Sequence, residues 1–308
     1  MADAAPGAPL AEPILKAASV GVVGLGQMGA GIARNLDRAG ILSGAFDINS
    51  KAFAELGLSK NVRHASVAEL CEIANVLLFA VPATGVIRDS LDGIAGRFGQ
   101  TVIDVTTSNP AESQALATDL GAGGRHYLDA AMTGGAAGAD TGRLTLMVGG
   151  RADVLAACRP VLDAIATEIF HIGPAGSGHA MKLVHNMILH SNFLANCEGL
   201  RMAERAGLDL DQAVAVLNAG NARSFVSEVR FPRDILNGTM NARSQVSNLE
   251  KDLGLAVDYA EQLEARAPFG ALTRAVLAQA VSAGKADADF SWLFPAYEDL
   301  VDRLEAEA

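Results

Sequence analysis

Short, unbroken apolar runs recur through the first half of the chain. They lie at Ser19 to Val23, Leu42 to Phe46, Val76 to Val81 (broken by Pro82), Thr101 to Val105, Tyr127 to Asp129 and Leu144 to Val148. Amphipathic stretches separate them. One runs from about Met28 to Ala39 and stops at Gly40, and another is announced by Ser66 with Glu69, the spacing of a capping box. Strands covered on both faces read as continuous apolar runs, and helices between them imply parallel pairing. The first half is therefore expected to be a doubly wound α/β domain with parallel strands.

The pattern changes at Gly173-Pro174-Ala175-Gly176-Ser177-Gly178. No strand pattern follows. A long helix is predicted from about His179 to Ala206, ending at Gly207. Asp209 is placed to cap the next helix, which ends near Gly220. Further helical patterns run from Asn248 to Gln262 and from Phe269 to Ser282. The expected organisation is a disordered tail over 1–18, an α/β domain over 19–176, an interdomain helix over 177–206 and an all-α domain over 207–308. The active site is expected in the cleft where the two domains meet.

The length of 308 residues agrees with two domains. The net charge of −11 disfavours nucleic-acid binding, because a negative chain repels phosphate backbones. Cys71, Cys158 and Cys197 are far apart and form no CxxC, which disfavours a disulfide framework or a zinc site and fits a reducing cytoplasm. His185 and His190, five residues apart, point away from a shared metal, and no metal is expected. Met1 to Lys16 lacks a basic segment ahead of an apolar one, so it is read as a tail rather than a signal peptide. No stretch is long and apolar enough to read as a membrane span.

Directly after the first strand the chain reads Gly24-Leu25-Gly26-Gln27-Met28-Gly29 and opens a helix. Glycines permit a tight turn and close backbone approach to a pyrophosphate, which the helix N-terminus attracts. Asp47 ends the second strand, 47 − 24 = 23 positions on, where an acid can bind both ribose hydroxyls of an adenosine. The alternative is a plain turn with a solvated aspartate. The strand–loop–helix context favours a Rossmann-type dinucleotide site. A carboxylate at Asp47 would repel a 2′-phosphate, and Ile48 and Asn49 supply no cation. NAD is therefore expected over NADP, with Lys51 the only nearby counter-argument.

Lys182 stands out on the long helix. From it to Glu198 there is no other Lys, Arg, Asp or Glu. An ammonium in so apolar a stretch needs a reason. Asn186 lies four residues on, about 40° round the helix and so on the same face. Desolvation and a nearby nicotinamide cation would lower the lysine's pKa towards neutrality, as an acid/base requires. Lys182 would exchange the substrate hydroxyl proton, and Asn186 would hold the same oxygen or orient the lysine. His185 reads as an ordinary helix histidine, and Asn192 and Asn196 as helix–helix hydrogen-bonding residues. A second cluster, Asp129-Ala130-Ala131-Met132-Thr133-Gly134-Gly135, follows a strand. Thr133, Gly134 and Gly135 can form an anion nest for a substrate carboxylate, or a flexible loop with no ligand.

Together these motifs resemble the 3-hydroxyisobutyrate dehydrogenase family of β-hydroxyacid dehydrogenases, from Val20 nearly to the C-terminus. Gly24 to Gly29 is similar to the family's GxGxMG, and Asp129 to Gly135 to its DAPVSGG. Gly173, Gly176, Gly178, Lys182 and Asn186 match GxxGxGxxxKxxxN. Lys251 to Ala256 match KDLxLA, and Asp289 to Ser291 match DFS. The resemblance implies that Val81 and Pro82 line the nicotinamide side of the cofactor. It also implies that Thr107, in Asp104-Val105-Thr106-Thr107, touches the cofactor, and that Lys251 reaches it. From its neighbours Glu250 and Asp252 alone, Lys251 reads as a solvated helix residue. Thr133 replaces the usual serine and Ala131-Met132 the usual Pro-Val, which leaves the acid open. 3-Hydroxyisobutyrate, tartronate semialdehyde, succinic semialdehyde, threonate and sulfonated aldehydes are all candidates. Arg223 is a second anion contact or a surface arginine.

The expectation is a homodimeric or homotetrameric NAD-dependent oxidoreductase of a small carboxylate, the apolar long helix being hard to bury in one subunit. Lys182 argues against an imine reductase, which usually carries an acid or aromatic residue there. The helical region is short for 6-phosphogluconate dehydrogenase. An intact lysine and glycine loop argue against a non-catalytic binding module.

Overall fold

The computed structural model describes residues 19–306, and the expected tail over 1–18 lies outside the described residues. They form two compact units that divide after Lys182. The first unit contains strands β1 (Val20–Val23), β2 (Leu42–Phe46), β3 (Arg63–His64), β4 (Val76–Phe79), β5 (Thr101–Asp104), β6 (His126–Thr133), β7 (Leu144–Gly150) and β8 (Ala166–Gly173). Its helices are α1 (Gln27–Arg38), α2 (Ser50–Glu55), α3 (Val67–Ile73), α4 (Thr84–Leu91), α5 (Pro110–Ala122), α6 (Gly135–Thr141) and α7 (Ala152–Leu162). The strands form one sheet in the order β3-β2-β1-β4-β5-β6-β7-β8. The order reverses between β1 and β4, the kind of switch point outside which α/β proteins bind ligands.

Alternation along each strand sorts the sheet's two faces. Val76 and Leu78 join Val20, Val22, Ile103 and Leu128 in one core, beneath Ile32 and Leu36 of α1. Leu77 and Phe79 join Val23 and Val102 in the other, against Leu70, Ile87 and Leu116. Both faces are apolar, so the runs carry no polar alternation. The capping box at α3 forms as expected. Glu69 N donates to Ser66 Oγ and Ser66 N to Glu69 Oε2, and the Ser66 hydrogen bonds hold the Glu69 carboxyl below its usual range.

Three expectations change. The sheet is not wholly parallel, because β6 and β7 pair antiparallel from Leu128↔Gly150 to Thr133↔Thr145. Only residues 134–143 lie between them, too few for the crossover of a dozen or more residues that a parallel pair needs. β6 also runs four residues beyond Asp129, so the segment from Asp129 to Thr133 is strand rather than the loop after one. Finally, β3 and the edge strand β8 were not expected.

Helix α8 (Ser177–Arg205) begins in the first unit and continues into the second, which adds α9 (Leu210–Ala219), a π-helix (Val226–Leu236), α10 (Val246–Gln262), α11 (Pro268–Ala280) and α12 (Leu293–Ala306). Among the described residues no strand follows Gly173. At about 1.5 Å per residue, the 29 residues of α8 make it roughly 44 Å long. Asp209 caps α9 by accepting from Gln212 N at 2.9 Å. The second unit's core gathers Phe193, Cys197 and Leu200 of α8 with Phe231, Leu253 and Leu277. Phe193 meets Phe290 edge to face at 4.9 Å, and Phe231 meets Phe294 likewise at 5.2 Å. The π-helix, unforeseen from the sequence, contains Pro232, which lacks a backbone donor. Among the described residues, no helix is long and apolar enough to cross a membrane, and no cluster of histidine, cysteine or acidic residues could hold a metal.

Candidate active site

The glycine loop is fixed from the second strand. Gly24 N donates to Phe46 O at 2.8 Å, Leu25 N to Asp47 Oδ2 at 2.6 Å, and Asn49 N to Asp47 Oδ1 at 2.7 Å. Asp47 thus holds the glycine loop through Oδ2 and the turn after β2 through Oδ1, while each oxygen keeps lone-pair capacity for a further donor. Gly24 has a φ of +90°, and a side chain there would strike the Ala80 carbonyl. One at Gly29 would strike the Gly24 carbonyl. Around Gly26 the space is open, with nothing within 4 Å of a built Cβ. Gly26 precedes α1 without a side-chain cap, and the first turn of α1 has no acid. A helix start without a side-chain cap, with open space beside Gly26, fits a dinucleotide pyrophosphate. Leu25 is buried with its N–H on Asp47 and Met28 packs on the core, so neither side chain is placed to meet a ligand. Gln27 is exposed.

Beside the loop, Val81 and Pro82 follow β4, and Thr107 lies in the turn after β5. One residue that sequence reasoning left without a role organises both turns. Asp104, fully buried, accepts from Thr84 Oγ1 at 2.6 Å, Tyr127 OH at 2.8 Å and Thr106 N at 2.9 Å. Burial pushes the Tyr127 hydroxyl well above its ordinary pKa, so it remains a donor to the carboxylate.

Thr133 ends β6, half-buried, and exposed Gly134 and Gly135 follow with φ of +117° and +61°. Gly134 precedes α6 without a side-chain cap. A hydroxyl and successive uncapped N–H groups at this turn suit a carboxylate. Helix α6 packs on α1 at very short range. A side chain at Gly31 would meet the Ala139 carbonyl carbon at 2.6 Å. Asn35 Nδ2 donates to Ala139 O at 2.6 Å, and Arg34 pairs with Asp140 at 2.9 Å. The two glycine clusters are therefore joined through α1 and α6.

Lys182 lies in the second turn of α8 and is 9% exposed, and Asn186, one turn on, is 2% exposed. Within the second unit, Asn186 Nδ2 donates to Asp252 Oδ2 at 2.8 Å, and Asn186 Oδ1 lies 3.0 Å from His185 Nδ1. A carboxylate only accepts, which fixes the amide orientation and makes His185 Nδ1 the donor. Lys251 pairs with Asp252 at 2.9 Å, its side chain 43% exposed. In the sequence Asp252 stands out only as a neighbour of Lys251, and nothing there marks it as the partner of Asn186. Arg223 is exposed, 3.4 Å from Glu228, on a groove of about 800 Å³ between α8 and α9.

A cradle for a dinucleotide at the switch point of a largely parallel sheet, followed by a helical unit, defines an NAD(P)-binding oxidoreductase. Residues 19–173 match the family model described as the NAD binding domain of 6-phosphogluconate dehydrogenase. Residues 176–297 match that described as NAD-binding of NADP-dependent 3-hydroxyisobutyrate dehydrogenase. The chain belongs to the 3-hydroxyisobutyrate dehydrogenase family of β-hydroxyacid dehydrogenases. It is 31% identical to the mitochondrial 3-hydroxyisobutyrate dehydrogenase of Drosophila melanogaster, over 90% of this chain and 89% of that protein. It is 30% identical to the 3-sulfolactaldehyde reductase of Escherichia coli K12, over 89% of this chain and 94% of that protein. The solved structure of Mycobacterium tuberculosis 3-hydroxyisobutyrate dehydrogenase with L-serine superposes with a TM-score of 0.83 at 28% identity, over 91% of this chain and 99% of that one.

Proposed function

We propose that the protein interconverts a small β-hydroxyacid and its semialdehyde, with Lys182 as the general acid/base. The observation that carries this reading is the burial of Lys182 on an α8 segment with no other Lys, Arg, Asp or Glu before Glu198. Bound nicotinamide supplies hydride acceptance from the carbinol carbon. Lys182 Nζ, deprotonated beforehand, takes the hydroxyl proton and returns it in the reverse direction. Asn186 holds the same oxygen or orients the lysine. Thr133, Gly134 and Gly135 bind the substrate carboxylate. Gly24 to Gly29 cradle the pyrophosphate, Asp47 takes the ribose hydroxyls, and Val81, Pro82, Thr107 and Lys251 contact the cofactor.

NAD is proposed over NADP. The Asp47 carboxylate would repel a 2′-phosphate, and Ile48, 95% exposed, supplies no cation beside it. The test is kcat/KM with each cofactor, and an NADP preference overturns the assignment. For the reaction, NAD reduction is followed with a panel of small hydroxyacids, comparing the wild type with Lys182→Ala. Near-normal kcat in the variant overturns the role of Lys182. Turnover of no acid favours a non-catalytic module. A second reading, a semialdehyde reductase, is favoured by the relative named 3-sulfolactaldehyde reductase. A sulfonated aldehyde in the panel, assayed by NADH oxidation, separates the two.

We also propose a homodimer or homotetramer in the cytoplasm. Exposed Ile188 and Met202 on α8 and Val216 on α9 support association, and three free, buried cysteines support a reducing compartment.

A further inference from the structure

We infer that Asp129, with the Ser113–His179 contact, is the positioning device that sets where Lys182 stands. The inference rests on the reading of Lys182 as acid/base. The Asp129 carboxylate is fully buried and takes two donors from the start of α8, Gly176 N at 2.7 Å on Oδ1 and His179 N at 2.9 Å on Oδ2. A carboxylate spanning the first N–H groups of a helix is favoured by both hydrogen bonding and the helix dipole. Here it comes from the middle of strand β6, so the helix is clasped to the sheet rather than capped by the residues that precede it.

The clasp depends on very close approach. A side chain at Gly149, opposite Asp129 on β7, would meet Asp129 Oδ1 at 2.5 Å. One at Gly178 would meet Asp129 O at 2.8 Å and strike the Met147 carbonyl. These two glycines clear the space into which α8 is pressed.

A second anchor fixes the helix in rotation. The fully buried His179 ring places Nδ1 2.6 Å from Ser113 Oγ on α5 and Nε2 3.8 Å from Asp104 Oδ1. His179 is therefore held by its backbone to β6 and by its ring to α5. Lys182 is three residues further along, about 4.5 Å of helix rise. Translation and rotation of α8 are both set within one turn of the lysine. The strand that holds the helix also ends at Thr133, so one strand spaces the acid/base from the carboxylate nest.

The test compares Asp129→Asn, Asp129→Ala and Ser113→Ala with the wild type and with Lys182→Ala. It measures kcat and KM, NADH affinity by fluorescence, and labelling of Lys182 by trinitrobenzenesulfonate relative to exposed Lys51, read by peptide mass spectrometry. Asparagine keeps one acceptor but turns an amide towards the other N–H, so Asp129→Asn should lose at least tenfold in kcat and Asp129→Ala more. Ser113→Ala should lose a few-fold. In each, NADH affinity should stay within twofold, while the labelling ratio changes at least threefold. A merely structural role would lower the melting temperature without moving the labelling ratio or separating kcat from cofactor affinity. Wild-type kcat and labelling in Asp129→Asn, with Lys182→Ala inactive, overturn the positioning role and leave Lys182 in place. An active Lys182→Ala overturns the reading beneath it instead. If the Asp129 variants do not fold, Ser113→Ala decides alone: kcat within twofold and an unchanged ratio overturn the inference.

Discussion

Arginine is a stringent probe of Lys182, because it keeps the charge and much of the length but does not give up its proton near neutral pH. Lys182→Arg should lower kcat by about 10²- to 10⁴-fold, the usual contribution of a positioned acid/base. NADH affinity, read by fluorescence titration, should be retained. At Asp47 the carboxylate holds the glycine loop through Leu25 N and the turn after β2 through Asn49 N, in addition to the ribose role proposed for it. Asp47→Asn keeps an acceptor for only one of those donors. Its KM for NAD should therefore rise at least several-fold, and the discrimination against NADP should ease because the charge that repels a 2′-phosphate is gone, measured by steady-state kinetics with both cofactors. Unchanged discrimination against NADP in that variant would argue against carboxylate repulsion as the source of the NAD preference.

At the scale of elements, α8 is tied to α12 by ionic contacts in the second unit. Glu298 accepts from Arg201 at 2.9 Å and also pairs with Arg205. The hydrogen bonds from Arg205 and Arg201 lower the Glu298 pKa from 4.5 to about 2. A carboxyl whose folded pKa lies below its unfolded one contributes stability above the unfolded value and loses it as pH falls through the folded value. The gap in melting temperature between wild type and Glu298→Gln should be present at pH 6, shrink below pH 4.5 and vanish near pH 2. Solvent exposure and salt will keep it small. Element order was largely legible in the sequence, because doubly covered strands and amphipathic helices write different periods. The β6–β7 reversal was not, since an apolar run reads the same in either direction and only the short connection over residues 134–143 betrays it. β8 alternates irregularly at a sheet edge, with Phe170 and Ile172 exposed. Lys182 was legible as a charge out of place. Asp104, Asp129 and Asp252 were not, because the partners that give them their roles (Thr84 and Tyr127, Gly176 and His179, and Asn186) lie 20 or more residues away, two of them as backbone N–H groups.

For the whole molecule, a cofactor that binds only the folded chain stabilises it by mass action, about 2.7 kcal/mol at a concentration 100 times Kd. NADH should raise the melting temperature, and NADPH at equal concentration should raise it less. Equal shifts would contradict the NAD assignment. Exposed apolar side chains on α8 and α9, including Met202 at 71% and Val216 at 70%, predict self-association. Light scattering should report a mass of two or four chains of 31.8 kDa, and a monomeric mass removes that proposal. The contact between α1 and α6 at Gly31 has a consequence for substrate choice. With no side chain at Gly31, the two helices approach closely and the glycine loop and the Thr133 turn keep a set spacing, which, if that turn binds the carboxylate as proposed, would gauge the length of the acid. Acids with an extra methylene between carboxylate and carbinol should be discriminated against in proportion to how little that contact can yield. Gly31→Ala, by wedging the helices apart, should retune which chain length is preferred.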